Sequence, residues 1–563
     1  MLKATGTGVI AAGLSSWTLV GRVEAAQAAL AIPPNLPPGV VPYLRRFENW
    51  AGDIVTESLW TVTVLSEQQV VDLANWACSN GYRLRASGFS HNWSPLTVDG
   101  SETRESRVLL VDTRTGLTRV SVGAASVTVG AGVSMDTLLS TLDLTGKGLA
   151  HNPAPGDITV AGALAIGAHG TVVAALGETM PPGHSHGSLP NLVQSLRAVV
   201  WDAAAGRYLA KTFTRDQREI GALLVHVGRA FITQVTLRIG PKQRMRCRSL
   251  VSVPAAELLA SPGSGGRTFA SYVESAGRVE LIWFPFTNEP WLKVWSLAPS
   301  WPWGSRITLT PYNYPFADNA PDPLVRVLGD VENNPEQTPE FTATQLSIVN
   351  AGLLATGSAD LWGSGANLLR YVRPGTLKVT ANGYAVLCTR ADIQWVVSTF
   401  SARYQQVLAE YRARGQYPVN GPMEIRVTAV DDPADSGVPG AVDAWLSPTR
   451  RRPDRPEWTC AVWLDLLTIP GTGAADDFYT EIEEWLWTTF DGSRAAVRVE
   501  WSKGWGYTPD GAWTSEAAVS GAIPESLTTG QPVGTGFADA VAVLNTLDPH
   551  RIYVSPLLDR LMP

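Results

Sequence analysis

Cysteine is scarce in this chain. Cys78, Cys247, Cys388 and Cys460 are its four thiols in 563 residues, and none lies at the short spacing that marks a zinc or dithiol redox site. No metal is expected, and the even number leaves their disulfide state open. Cys78, on the apolar side of a helical pattern, reads as a buried thiol. Charge is thin as well, at 17% of residues with a net of −7. The lack of a basic face excludes nucleic acid as a partner. No run is long and apolar enough to span a membrane. No G-x-G-x-x-G follows the first strand, so a Rossmann site has no support. The one G-x-S-x-G, Gly183–Gly187, lies between Pro181-Pro182 and Ser188-Leu189-Pro190. The strand-to-helix turn of a hydrolase nucleophile is therefore missing.

Length is abundant, and 563 residues exceed one ordinary core, so two large domains are expected. The 52 glycines and 39 prolines favour many turns and short strands over a helical protein. Most of the 21 tryptophans are expected to pack the core, although such a composition also suits a large apolar ligand. Lys3, the run Val9–Val20 and Ala26-Gln27-Ala28 together resemble a secretory signal peptide over residues 1–28, with its basic region nearly absent. The alternative is a poorly ordered or core N-terminal helix. Residues 29–45 form a proline-rich linker, and order is expected from near Arg46.

Trp60–Val64 alternates as a strand, and Ser66 with Gln69 forms a capping box for the helix that follows. Gly81 closes that helix. Tyr82–Arg85 returns as a strand and delivers Arg85-Ala86-Ser87-Gly88-Phe89-Ser90-His91-Asn92-Trp93, with His91 at the tip of a turn. Short strands follow at 108–111, 118–122 and 126–129, then longer ones at 192–201 and 230–238. Between them lie His151-Asn152-Pro153-Ala154-Pro155-Gly156 and Gly162–Gly170. Gly162, Gly167 and Gly170 permit close approach of backbone to a ligand and can present N–H groups to phosphate. Five of the seven histidines fall within residues 91–186. His184-Ser185-His186 has no matching carboxylate or cysteine set, so a structural or cofactor-contacting role is preferred.

Composition shifts near Pro241, where a second region begins. Its strand around Glu424-Ile425-Arg426 places both charges on one face, with Met423, Ile425 and Val427 on the other. Such a pair is either a surface ion pair or a pair aimed into a cavity. Glu280 lies among Val279, Leu281, Ile282 and Trp283, where a carboxylate needs a cation or a proton unless the strand is exposed.

Arg85–Trp93 resembles the flavinylation loop of the vanillyl-alcohol oxidase superfamily. Pro155–Gly170 is similar to its second phosphate loop, and Asp548-Pro549-His550-Arg551 to its C-terminal signature. Within that superfamily the nearest resemblance is to bacterial type II cholesterol oxidases, which are secreted and carry covalent flavin. Glu48-Asn49-Trp50, Trp283-Phe284-Pro285-Phe286-Thr287, Pro311-Tyr312-Asn313-Tyr314 and Glu500-Trp501-Ser502-Lys503-Gly504-Trp505 are among the stretches that carry it. Phe89-Ser90 departs from other members, but the histidine is in place.

The resemblance implies an α+β fold with a PCMH-type FAD-binding domain, residues 46–240 completed by a tail at 521–563. A sheet-and-helix substrate cap would span 241–520. It implies FAD bound covalently through His91, with Arg85, Ser87, Gly88, Phe89, Ser90, Asn92, Pro155, Gly156, Gly162, Gly167, His169, Gly170 and Ile232 as cofactor contacts. Glu424 and Arg426 would serve as base and as support for developing negative charge, without either being fixed to one step. Glu280 would pair with Arg426 and gate oxygen entry, and Lys503 would face cofactor or substrate. The implied reaction oxidises a 3β-hydroxysteroid such as cholesterol with O2, yielding H2O2, followed by Δ5 to Δ4 isomerisation. The rivals are a polyol or aldonolactone oxidase of the same superfamily, and a non-catalytic sterol-binding protein. A secreted monomer is expected, with transient contact to a membrane surface left open.

Overall fold

The helix Glu67–Asn80 shows why its surroundings fold as they do. In a computed structural model, which describes residues 32–318, 331, 334–373 and 378–563, Ser66 Oγ accepts from Gln69 N at 3.3 Å. Gln69 Oε1 accepts from Leu65 N at 2.7 Å, one residue ahead of the expected box. Gly81 ends the helix at φ 67°, a left-handed turn that costs glycine nothing. Val70, Leu73, Ala74 and Ala77 are buried, whereas Cys78 is only partly buried, because it lies at the margin of that apolar stripe. The strands Val55–Thr63 and Arg83–Ser87 flank the central strand Val108–Asp112, both parallel to it. Pro42–Glu48 adds antiparallel to Val55–Thr63, so order begins inside the stretch read as linker. The Arg83–Ser87 strand is therefore an edge strand, and residues 88–92 leave from its end.

A second sheet runs in the order Val120–Val122, Ser126–Gly130, Phe231–Arg238, Val193–Asp202 and Arg207–Thr214. The chain's last residues lock onto this half. Leu84 N donates to Ile552 O at 2.7 Å. Asp548, buried, accepts from Tyr208 Oη at 2.6 Å and from Arg229 Nη1 at 3.0 Å. The Asp548-Pro549-His550-Arg551 motif is thus a structural knot between the C-terminus and the first two sheets.

The remaining chain builds a nine-stranded sheet. Its order is Arg306–Thr308, Asp360–Ser364, Arg244–Leu250, Trp291–Leu297, Arg278–Trp283, Met423–Ala429, Cys460–Thr468, Thr380–Cys388 and Ala496–Val499. Every pairing is antiparallel except the first. The helices Phe269–Ala276, Ile393–Ala413 and Ala475–Thr489 pack on one face. Met423, Ile425 and Val427 point into that apolar layer, so the alternating residues Glu424 and Arg426 must face the other way. Of the tryptophans near 283–303, Trp283, Trp291 and Trp295 are buried, while Trp303 is 91% exposed.

Residues 1–28, read as an export segment, lie outside the described residues. Among the described residues no helix is long and apolar enough to cross a membrane. The Gly183–Gly187 segment is an irregular loop, in which Ser185 Oγ accepts from Asn191 Nδ2 at 2.8 Å. His184 is bonded through Nε2 to Pro241 O at 3.0 Å. His186 faces Glu178 at 3.8 Å. Burial pulls His184 down to about 4 from its ordinary 6.5, which has a consequence for stability. Between those values the unfolded chain takes up a proton that the folded chain refuses, so stability falls as pH drops. From pH 7 to pH 5, wild type should lose about 2 kcal/mol more than a His184→Gln variant. Urea unfolding at both pH values checks this, and equal losses would refute it.

Candidate active site

Two cavities meet at the His91 loop. The first is lined by Arg85, Ser87, Gly88, Phe89, Ser90, His91 and Asn92 on one side and by Thr159, Gly162, His226 and Ile232 on the other. Gly88 and Gly162 both lie tight against Thr159. An added Cβ would stand 2.8 Å from its Cγ2 at Gly88 and 2.9 Å from its Oγ1 at Gly162. Arg85 is buried, paired with Glu102 at 3.7 Å, and lowered to about 10 by burial, against the pull of Glu102. Its Nε and Nη2, with His91 Nδ1 and His226 Nε2, are buried polar atoms without hydrogen-bond partners. A narrow cleft with glycine walls and unsatisfied donors fits a polar, elongated group such as a flavin dinucleotide.

Three of the anticipated cofactor contacts line neither cavity. Gly156 is held where its carbonyl accepts from Asp136 N at 2.9 Å. Gly167 turns the chain after the helix Val160–Ala165 at φ 71°. Gly170 N donates to His151 Nδ1 at 3.1 Å. These glycines shape the loop that borders both cavities. Pro155 and His169 line the second cavity and not the first.

The second cavity has an apolar wall, including Ile282, Phe284, Trp291, Phe341 and Leu467, and a charged end. The charged end follows from strand register. Glu280 pairs across with Arg426, and Glu424 with Asp465; directly opposed residues in an antiparallel sheet face the same side. Arg426 consequently sits among three carboxylates. Its Nη1 is 3.4 Å from Glu280 and 3.2 Å from Glu424, and its Nη2 donates to Asp465. Lys503 Nζ lies 4.0 Å from Asp465 and 3.8 Å from the Trp93 ring centroid. Tyr371 Oη donates to Glu280 Oε2 at 2.5 Å. Lys293, across from Glu280, is 3.7 Å from it and 3.7 Å from the Tyr371 ring. His169 stacks on Trp463 at 3.4 Å, donates Nδ1–H to Gly170 O, and faces Glu500 at 3.7 Å.

This crowding sets the protonation of the group. Burial raises Glu424 from its ordinary value, with Arg426 opposing and Glu280 adding to it. Burial pushes Asp465 up strongly, helped by Glu500. Burial also pulls Arg426 down, but Asp465, Glu424 and Glu280 more than reverse this and keep it charged. For Glu500, burial acts upward and is outweighed by His169, Lys503 and Arg426, which hold it ionised. The site is a buried cation ringed by carboxylates of unequal basicity, an arrangement that can hold and move one proton beside an apolar ligand.

Asp465, Tyr371, Lys293 and Glu500 were not singled out from the sequence as site residues. Asp465 carried a legible mark, since it is one carboxylate within the otherwise apolar Val462–Leu466. Lys293 required the strand pairing with Glu280, and Tyr371 and Glu500 required the docking of their loops on the sheet face.

The arrangement of a flavin-shaped cleft against a charged sheet face recurs in known proteins. Residues 59–180 match the family model of an FAD binding domain. Residues 244–563 match that of the cholesterol oxidase substrate-binding domain. The chain belongs to the cholesterol oxidase family. A solved structure titled solvent-stable cholesterol oxidase is 49% identical, with TM-score 0.94, covering 95% of this chain and 100% of that one. Cholesterol oxidase from Brevibacterium sterolicum is 39% identical, with TM-score 0.93 and the same coverage. A histidine-to-alanine mutant from that organism is 38% identical, also at 0.93. Family membership makes the chain an FAD-dependent oxidoreductase with the α+β, two-domain architecture expected from its sequence. The first cavity accordingly belongs to the FAD domain, and the charged sheet face to the substrate-binding domain.

Proposed function

We propose that this cholesterol oxidase family member oxidises the 3β-hydroxyl of cholesterol-like steroids at the charged end of the second cavity. One observation carries the reading: His91, with Ile158 and Ile166, lines both cavities. A group held in the first cavity therefore meets the ligand of the second at His91, within the enclosure that holds Glu424 and Arg426. The apolar wall suits a sterol body, and a polyol would leave it uncovered. Bound FAD supplies acceptance of the hydride and transfer of its electrons to O2, giving H2O2. Glu424 takes the hydroxyl proton. Arg426 stabilises the negative charge that develops on the substrate oxygen. Glu280, held by Tyr371 and Lys293, shares Arg426 and sets when it is free to act on oxygen. Lys503 holds Asp465 on the far side. Isomerisation of the product, with Glu424 or Glu280 carrying the proton, and export through residues 1–28 belong to the same reading. So does a domain partition of 46–240 with 521–563 against 241–520, supported by the bonds from Ile552 and Asp548.

His91 is proposed as the covalent anchor of the flavin. Its ring is covered by Trp50 at 5.1 Å and met edge-on by Trp93 at 6.0 Å. Ser90 before it holds a left-handed φ of 57°, strain of the kind that concentrates at functional loops. On a denaturing gel the wild-type band should fluoresce under ultraviolet light, and His91→Ala should abolish the fluorescence. A dark wild-type band would end the covalent assignment. Oxygen uptake with cholesterol but not xylitol checks the substrate, and the reverse preference would favour a polyol oxidase.

A further inference from the structure

Asp157, next in the chain to Ile158 of the shared cavity lining, faces His91. Its Oδ2 stands 3.6 Å from His91 Nδ1. Neither His91 Nδ1 nor Asp157 Oδ1 has a hydrogen-bond partner, and both atoms are buried. Among the described residues Asp157 pairs with His91 and with no other cation. The backbone around it is pinned on both sides: Gly156 O accepts from Asp136 N at 2.9 Å, and Ile158 O accepts from Met135 N at 2.9 Å. Asp157 is thus a carboxylate fixed in place with one acceptor to spare, aimed at an imidazole that Trp50 and Trp93 hold from two further sides. A carboxylate with no structural cation to neutralise, retained at low exposure, needs a use.

We propose that Asp157 is the base that enables His91 to bond to the flavin, an inference that rests on the covalent reading of His91. A neutral imidazole carries one N–H proton, and it must lose that proton as its ring nitrogen bonds to the flavin's methyl carbon. Asp157 accepts it. The methyl carbon loses a proton of its own, and the electron pair released stays on the flavin ring, which is thereby reduced. Oxygen, the acceptor of the family reaction, then takes the two electrons and two protons as H2O2. The ring nitrogen–carbon bond is the one covalent link gained, and Asp157, whose side chain keeps 16% of its surface exposed, returns its proton to solvent.

The test compares wild type, Asp157→Asn, Asp157→Glu and His91→Ala, each produced as the full chain under riboflavin limitation so that flavin-free protein remains to be loaded. Total flavin is read from absorbance, and the covalent part from what stays with acid-precipitated protein. Both are followed during incubation with added FAD in air. Asp157→Asn should bind FAD but attach it at least tenfold more slowly, and Asp157→Glu should recover most of the rate. Attachment by Asp157→Asn at the wild-type rate overturns the assignment. So does an Asp157→Asn protein that binds no flavin, since its role would then be structural. Should wild type itself release all its flavin to acid, the covalent reading of His91 fails first, an outcome separate from either of these.

Discussion

Replacing Glu424 by Gln should lower kcat with cholesterol by about 10²–10⁴-fold, the usual contribution of a positioned general base. Gln keeps the shape and the contact with Arg426, so the binding of the apolar sterol body, and with it KM, should change far less. The pH dependence sharpens the test. Burial and Glu280 raise the Glu424 carboxyl above its ordinary value. At low pH it is protonated and cannot take the hydroxyl proton, so kcat/KM should rise with pH through that raised value. Glu424→Gln should lose this limb altogether. Steady-state oxygen uptake across roughly pH 5–9 checks both statements. A variant within tenfold of wild type, with the acid limb intact, would transfer the role to another carboxylate.

Replacing Arg426 by Met should damage rate and stability together. The rate loss is expected at about 10²–10³-fold, typical of one removed donor to a developing oxyanion. The stability loss is expected at about 3–5 kcal/mol, typical of removing one partner from a buried charge group. Three carboxylates, Glu280, Glu424 and Asp465, face this guanidinium. Without it they repel one another, and protonation becomes their way of relieving the strain. A carboxyl whose folded pKa lies above its unfolded one stabilises at low pH and loses that contribution as pH rises through the folded value. Arg426→Met should therefore be hit harder at high pH than at low, compared at roughly pH 9 and pH 6. Arg426→Lys should recover part of the stability but little of the rate. One ammonium cannot reach Asp465 and the Glu280–Glu424 side at the same time, as the two arms of the guanidinium do. Urea midpoints at the two pH values, beside turnover, check this; a variant equally stable at both would refute the account of mutual repulsion.

Much of the site's outline is local, and local features are readable in order along the chain. The β-α-β unit that presents His91 follows from Ser66, Gln69, Gly81 and an apolar stripe. The common face of Glu424 and Arg426 follows from the two-residue period of a strand. Glu280 drew notice because four apolar neighbours leave a carboxylate unexplained. Gly88 and Gly162 wall the first cavity, the Gly156 carbonyl accepts from Asp136 N, Gly167 turns the chain and Gly170 N meets His151; a glycine records that backbone comes close to something, not to what. The partial exposure of Cys78 likewise depends on what packs beyond its helix.

By itself, then, the sequence determined that a histidine-bearing loop leaves a strand, that one later strand turns an acid and a guanidinium to the same side, and that no metal spacing or Rossmann fingerprint competes with them. Tertiary structure alone decided that Asp465 stands opposite Glu424, that Lys293 and Tyr371 close around Glu280, and that Asp157 faces His91. Cross-strand register, set by the packing of the whole sheet, makes the meetings of Asp465 with Glu424 and of Lys293 with Glu280, and the docking of loops distant in the chain brings Tyr371 to Glu280 and Asp157 to His91. No single segment contains either.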